Sequence, residues 1–382
     1  MVITILKFLP WAILGLAVLF GGHYFLYFSF VKFFNLDSLK IKMFLLVIIF
    51  LLSLIFVASS FLAHARAGLF VKIFYAVSAS WIGVAVNLFL AACLIWLTIG
   101  FAQLAGFNPN KPVLGAAMLG LAVLFSVYGI WNAFHSQIKN IDLTIKNLPP
   151  QWQNKAIVQI SDVHLGNIHG QKFLRDIVDK INAQNPDLVL ITGDLFDGMD
   201  GDLDVFIETL NNIQSKNGIF FVTGNHETYL GLDIVFSLLK KTRIKILDNE
   251  LADLNGLQII GIGYPTAEKG LESFIGNGQS DTEKIMTSLK NFNPAKPSIL
   301  LHHAPTNIAQ AKAAGIGLQL SGHTHDGQIF PFGLIAELIY GKYNYGLHTE
   351  GNFSIFTSSG AGTWGPPMRT GNAPEIVVFK IK

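Results

Sequence analysis

Four stretches early in the chain contain no Asp, Glu, Lys or Arg: Phe8 to Phe30, Met43 to Ala63, Ala76 to Phe101 and Val113 to Phe134. Each reaches the ~20 apolar residues that a helix needs to cross the hydrocarbon core of a bilayer. A helix suits such a segment because it satisfies its own backbone polar groups where no water can. The first stretch is too long for the apolar region of a signal peptide, and no small-residue cleavage site precedes three further spans, so it is expected to be retained. Residues 1–138 are therefore read as a transmembrane anchor with four spans, 139–155 as a linker with a first strand, and 156–382 as a second, water-soluble domain.

The distribution of charge supports this division. Residues 1–140 hold eight Lys/Arg and one acid, whereas the remainder holds 19 Lys/Arg and 24 Asp/Glu. One part belongs in lipid and the other is a mildly acidic soluble domain. No basic run or basic face stands out, so no nucleic-acid partner is indicated. Cys93 is the sole cysteine, so no intramolecular disulfide can form, which is compatible with a reducing compartment. The polar residues inside the spans include His23 and Asn87. A transport path usually carries more ionisable groups at mid-membrane, so the bundle reads as an anchor and these two as partners in interhelical hydrogen bonds. With the N-terminus inside, the inner segments carry five Lys/Arg and the outer loops four. That slight excess leads us to expect a multi-pass protein of the cell membrane with its soluble domain in the cytoplasm.

The soluble part alternates short apolar runs with helical spacing. Ala156 to Ile160, Leu188 to Ile191 and Gly218 to Val222 are predicted strands, separated by helices near 170–184 and 205–215. Further strands are predicted at 244–247, 258–262, 298–301, 353–357 and 375–381. Strand, helix, strand in alternation implies an α/β sheet. A polar cluster follows the carboxyl end of several of these strands, where such sheets place their ligands.

The clusters are Asp162 with His164, Asp194, Asn225 with His226, His303, and His323 with His325. Each has a bland reading on its own: a helix cap, a turn, a left-handed Asn. Their recurrence after successive strands argues for a common site. Oxygen and imidazole donors without a thiolate suit Mn, Fe or Zn better than Ca. They outnumber the four donors that one tetrahedral ion takes. Two ions sharing a carboxylate use them well, and such a pair clamps an in-line displacement at phosphorus.

Asp-x-His, Gly-Asp, Gly-Asn-His-Glu, a lone His and Gly-His-x-His occur in that order between Asp162 and His325. In this order they resemble the signature of the calcineurin-like metallophosphoesterases, from about Ile157 onward. Ser161 to Gly166, Thr192 to Leu195, Gly322 to Gln328 and the tail from Gly360 to Glu375 are more closely similar to the membrane-associated bacterial branch. The resemblance covers none of the four spans. It implies a two-sheet β-sandwich flanked by helices over 156–382. It implies that Asp162, His164 and His325 bind a first divalent metal, that Asp194 bridges, and that Asn225, His303 and His323 complete a second. His303 rather than His302 is chosen because the family's ligand lies two before the Pro, here Pro305. His226 matches the family's non-ligand histidine, which contacts the phosphate and assists the leaving group as an acid. Glu227 is expected to support this motif by hydrogen bonding, while Asp197 and His169 are assigned no role.

Two residues in the resembling segments stay open. Asp326 stands where the branch usually has Gly and is either a harmless loop residue or a tuner of local charge. Arg369 either meets a phosphate or makes a surface salt bridge. The expected activity is hydrolysis of a phosphomonoester, phosphodiester or pyrophosphate by a hydroxide held between two metals. The anchor suggests a lipid-linked substrate, with a UDP-diacylglucosamine-type pyrophosphate as one candidate. The rival readings are a catalytically silent scaffold on the same fold and a transporter with a regulatory domain.

Overall fold

The computed structural model of the chain describes residues 2–66, 68–199, 202–265, 285, 286 and 288–382. The chain divides into two compact units, Met1–Ile130 and Trp131–Lys382.

The first unit is helical. Helices α1 (Val2–Phe33), α2 (Leu39–Ala65), α3 (Leu69–Leu104) and α4 (Lys111–Ala133) run beyond the charge-free stretches because their ends accept lysines. All four contain segments long and apolar enough to cross a membrane. Leu26, Phe33, Leu88 and Ile95 pack among them. His23 and Asn87 find partners on neighbouring helices, as expected: Trp81 Nε1 donates to His23 Nε2 at 3.0 Å, and Asn87 Nδ2 to Ser126 Oγ at 2.9 Å. A polar group in an apolar bundle that lacked such a partner would cost about 1–3 kcal/mol.

The second unit is a sandwich of two six-stranded sheets. The first sheet comprises β1 (Gln137–Leu143), β2 (Ala156–Ile160), β3 (Leu188–Thr192), β4 (Ile219–Val222), β5 (Ile244–Ile246) and β12 (Glu375–Ile381), in the order β1-β12-β2-β3-β4-β5. β2 to β5 are parallel neighbours. The second sheet comprises β6 (Glu250–Leu254), β7 (Leu257–Ile262), β8 (Ser298–His302), β9 (Leu318–Ser321), β10 (Gly346–Glu350) and β11 (Phe353–Thr357), in the order β10-β11-β9-β8-β7-β6. β7, β8 and β9 are parallel.

Every residue of β3 is buried, because both faces of the sheet are covered. Successive side chains point to opposite faces. Leu188 and Leu190 enter the core between the sheets with Ile259, Leu301 and Leu320. Val189 and Ile191 enter the outer core under α5 (Gln171–Asn182) and α8 (Leu232–Leu239), with Leu174, Ile177 and Val235. Each such side chain stabilises by about 1.5–3 kcal/mol. Strong burial on both faces fixes the register, so the carboxyl ends of β2, β3, β4, β8 and β9 are rigid platforms for whatever follows them.

Sequence periodicity does not distinguish several elements. α6 (Ile207–Asn211) is shorter than the helix predicted at 205–215. Two short helices, α7 (Asn225–Leu230) and α8, follow β4, whereas α9 (Ile308–Ala313), which precedes β9, lies where the sequence predicts a short helix near 306–314. The strands β6 and β10 and the helix α10 (Phe332–Tyr340) correspond to no predicted element.

Candidate metal centre

Five of the seven predicted ligands follow a strand at a left-handed bend in the backbone. After β2 come Asp162 and His164, with φ of 53° and 52°; after β3 comes Asp194, with φ 50°; after β9 come His323 and His325, with φ of 74° and 50°. Left-handed φ at a residue other than Gly costs about 1–3 kcal/mol and persists only where the surroundings over-determine it. Tertiary contacts hold these residues. Asp162 accepts the His323 backbone N–H at 3.0 Å, and Asp194 Oδ1 accepts that of His226 at 2.9 Å. Gly224 is required at its position, because a Cβ there would collide with the Asp194 carboxylate.

The side chains converge. His164 Nε2 lies 3.0 Å from His325 Nε2, which is 3.4 Å from Asp162 Oδ1. On the other side, His303 Nε2 lies 3.2 Å from both Asn225 Oδ1 and His323 Nδ1, and 3.1 Å from Asp194 Oδ2. His323 Nδ1 and Asn225 Oδ1 are 2.8 Å apart. Asp194 Oδ2 also faces His164 Nε2, at 3.9 Å. Three groups of donors follow, each mutually close: Asp162, His164 and His325; His164, Asp194 and His226; and Asp194, His303 and His323. Asp194 and His164 are each shared by two groups.

This donor set fits divalent cations. His303 Nδ1 donates to the Thr192 carbonyl at 2.7 Å, so Nε2 is the nitrogen turned to the site. One proton on that nitrogen could serve only one of its three neighbouring acceptors. Donors about 2.1 Å from one ion stand roughly 3.0–3.4 Å from each other in octahedral or tetrahedral geometry, which is the spacing seen here. Burial pushes His303 down, but the Asp194 carboxylate outweighs it and leaves the imidazole at about 10. The field that draws a proton there is the field a cation would satisfy.

The family model for calcineurin-like phosphoesterases matches residues 155–327. An uncharacterized metallophosphoesterase of Campylobacter jejuni is 38% identical over 274 residues, covering 70% of this chain and 69% of that protein. The chain belongs to the calcineurin-like metallophosphoesterases. Another such protein of Helicobacter pylori is 34% identical, covering 66% of each chain. A transmembrane protein with a metallophosphoesterase domain from Bos taurus is 33% identical, over 67% of this chain and 60% of that one. The chain thus spans about two thirds of the length of these relatives. Calcineurin-like phosphoesterases use divalent metals, and the clusters above are the candidate ligands for them in this metallophosphoesterase.

Further residues shape the site. Glu227, expected to support its motif, accepts from the backbone N–H groups of Asp194 at 2.9 Å, Gly224 at 2.7 Å and Phe196 at 3.1 Å. Burial raises its carboxyl to about 7, with the Asp194 charge adding to the rise. His302 turns away from the site, as expected of a strand neighbour, and lies 3.2 Å from Thr306 Oγ1.

Asp197, assigned no role from sequence, stands at the site. Its carboxylate is 3.4 Å from His164 Nδ1, and its backbone carbonyl accepts His226 Nδ1 at 2.7 Å. It therefore fixes the His226 imidazole by a hydrogen bond and faces the His164 imidazole with its charge. Its position three residues after Asp194 is the only sequence signal for it.

Arg369 departs from both earlier expectations. It is fully buried, so it makes neither a surface salt bridge nor an accessible phosphate contact. Its guanidinium donates to the carbonyls of Ser359 and Gly362, each at 2.6 Å, and its Nη2 lies 3.1 Å from His325 Nδ1. Desolvation lowers it to about 10. Asn372 donates to the His325 carbonyl at 2.6 Å, and Asp326 accepts from Asn344 at 2.7 Å. These bonds pin the Gly-His-x-His loop in its left-handed turns. Asp326 thus serves loop structure.

Proposed function

We propose that this metallophosphoesterase holds two divalent ions, drawn from Mn, Fe or Zn, and hydrolyses a phosphomonoester, phosphodiester or pyrophosphate bond. The observation that carries the reading is the single Asp194 oxygen facing imidazoles of both clusters, His303 at 3.1 Å and His164 at 3.9 Å. A carboxylate so placed suits a bridging role. Asp162, His164 and His325 would hold one ion, and Asn225, His303 and His323 the other. The ions would supply a lowered pKa for a water nucleophile and positive charge facing the phosphoryl oxygens.

The chain's own groups do the rest. Asn225 contributes a neutral oxygen, leaving more positive charge for the phosphate than a carboxylate would. His226 uses Nδ1 to bond the Asp197 carbonyl, so Nε2 is its free ring nitrogen. Protonated there, it would contact a phosphoryl oxygen and pass a proton to the departing oxygen, as a general acid does. Glu227 and Asp197 hold these groups in position.

The four spans suggest a substrate at the bilayer surface, where tethering raises its effective concentration. A lipid-linked phosphate is the candidate class, a UDP-diacylglucosamine-type pyrophosphate among them. The slight Lys/Arg asymmetry supports a cell-membrane protein with its catalytic unit in the cytoplasm, which protease protection in inverted vesicles would check.

The test is hydrolysis of bis-p-nitrophenyl phosphate and p-nitrophenyl phosphate by the full chain, stripped of metal and then given Mn²⁺, Zn²⁺, Fe²⁺ or Mg²⁺. Metal-dependent turnover lost in Asp194→Asn is expected. Failure to bind any of these ions would sink the reading.

A further inference from the structure

Helix α10 is built inside out for a soluble surface. Its half-buried residues are Gly333, Ala336 and Tyr340, spaced three and four apart and therefore on one side. The large side chains Phe332, Leu334, Ile335, Leu338 and Ile339 are exposed instead, Leu338 by 86% and Ile339 by 68%. The helix carries one charge, Glu337. A surface helix ordinarily turns its apolar stripe inward and its polar face to water. Contiguous exposed apolar surface of this kind marks an interaction site. No other helix of the catalytic unit, among the described residues, exposes five large apolar side chains.

The helix is also a wall of the metal site. It begins five residues after Gly327, where the loop carrying His323 and His325 closes. At its far end the Tyr340 ring stands 6.0 Å from the His323 ring at an interplanar angle of 90°. Trp364, 58% exposed, stands on the other rim with its ring 6.0 Å from that of His226. Exposed aromatics of this kind favour the membrane–water interface, where one end is apolar and the other wet.

One partner is within reach of every copy. The last turn of α4 belongs to the catalytic unit, where Asn132 bonds the carbonyls of Arg369 and Asn372. Residues 134–136 alone separate α4 from β1, a reach of roughly 10–14 Å at full extension. The catalytic unit is therefore tethered close to the end of a membrane-length helix. We propose that α10 is an interfacial helix that seats its outward apolar face in the lipid bilayer surface, and so holds the metal-site loop against that surface. Such helices bury an apolar face at the boundary of headgroups and acyl chains. The inference rests on the phosphoesterase reading above and gives it a place: the scissile phosphate is one presented at the bilayer surface.

The experiment places a bimane label on a single cysteine at Leu338→Cys or, in a second variant, Leu334→Cys, in a Cys93→Ser background. Both sites are exposed, and the full chain is used, in nanodiscs of phosphatidylethanolamine and phosphatidylglycerol. Lys240→Cys, on an exposed lysine after α8, is the control. The expected result is a blue-shifted label at both α10 positions that loses emission to brominated acyl chains and resists iodide, while the label at 240 does the reverse. An α10 label as open to iodide as the control would overturn the proposal. A label shielded from iodide but not quenched by brominated lipid would overturn it too, in favour of a second copy of the chain. The readout needs neither metal nor turnover. Lipid quenching without hydrolysis would remove the phosphoesterase reading alone, and hydrolysis without quenching would remove the helix alone.

Discussion

Asn132 Nδ2 donates a 3.0 Å hydrogen bond to the backbone carbonyl of Arg369. A second bond, of 2.9 Å, goes to the carbonyl of Asn372. The end of a membrane-length helix thereby anchors the segment whose side chains grip His325. Asn132→Ala leaves the buried Arg369 carbonyl and the half-buried Asn372 carbonyl without their donor, at about 1–3 kcal/mol for the buried one. For a domain of this size the thermal midpoint should fall by about 2–4 °C per kcal/mol. Differential scanning fluorimetry of the full chain reads this directly, and an unchanged midpoint would show that the bonds contribute nothing.

Asp194→Asn tests the shared carboxylate. The amide keeps the shape of the group but loses the charge that both clusters face. Bound Mn²⁺ per chain, measured by elemental analysis after equilibrium dialysis, should drop. Turnover should fall by more than about 100-fold, since residues that merely orient ligands already cost 10–100-fold. Full metal content with full activity would refute the bridging role.

His226→Gln separates binding from chemistry. No ligand is removed in the proposed assignment, so metal content should persist. The rate should fall by about 10²–10⁴, the range for loss of a general acid. The fall should be larger for an alkyl phosphate than for p-nitrophenyl phosphate, whose leaving group departs without a proton. Equal losses on both substrates would speak against proton donation.

Asp197→Asn addresses a residue with no sequence-level assignment. The backbone carbonyl that accepts His226 is untouched, while the carboxylate 3.4 Å from His164 Nδ1 becomes neutral. Metal affinity by calorimetry should weaken by about 10–100-fold, and His226 should stay in place. Wild-type affinity would show that Asp197 acts on His226 alone.

The seven candidate ligands were legible because each sits within a few residues of a strand end, and strand ends follow from local hydrophobic pattern. Strand alternation puts His302 and His303 on opposite faces, and the family resemblance, by the spacing to Pro305, points to His303 as the candidate ligand. The fold class followed from the alternation of elements. The strands β6 and β10 were not legible: their burial is mixed along the strand, so little apolar pattern marks them.

What the sequence by itself determined is what local pattern carries: four charge-free spans, an α/β order of elements, and a set of candidate metal ligands in a family's order. Tertiary structure alone decided the rest. Arg369 reads as a surface cation until the tail folds over it and the carbonyls of Ser359 and Gly362 take its protons. Asp197 reads as a loop acid until β2 and β3 bring His164 beside it. The segment from Phe332 to Ile339 turns its small residues to the protein and its large apolar ones outward. Periodicity tells that a helix has two sides. Which side meets protein depends on residues far away in the chain, and only their packing can assign it.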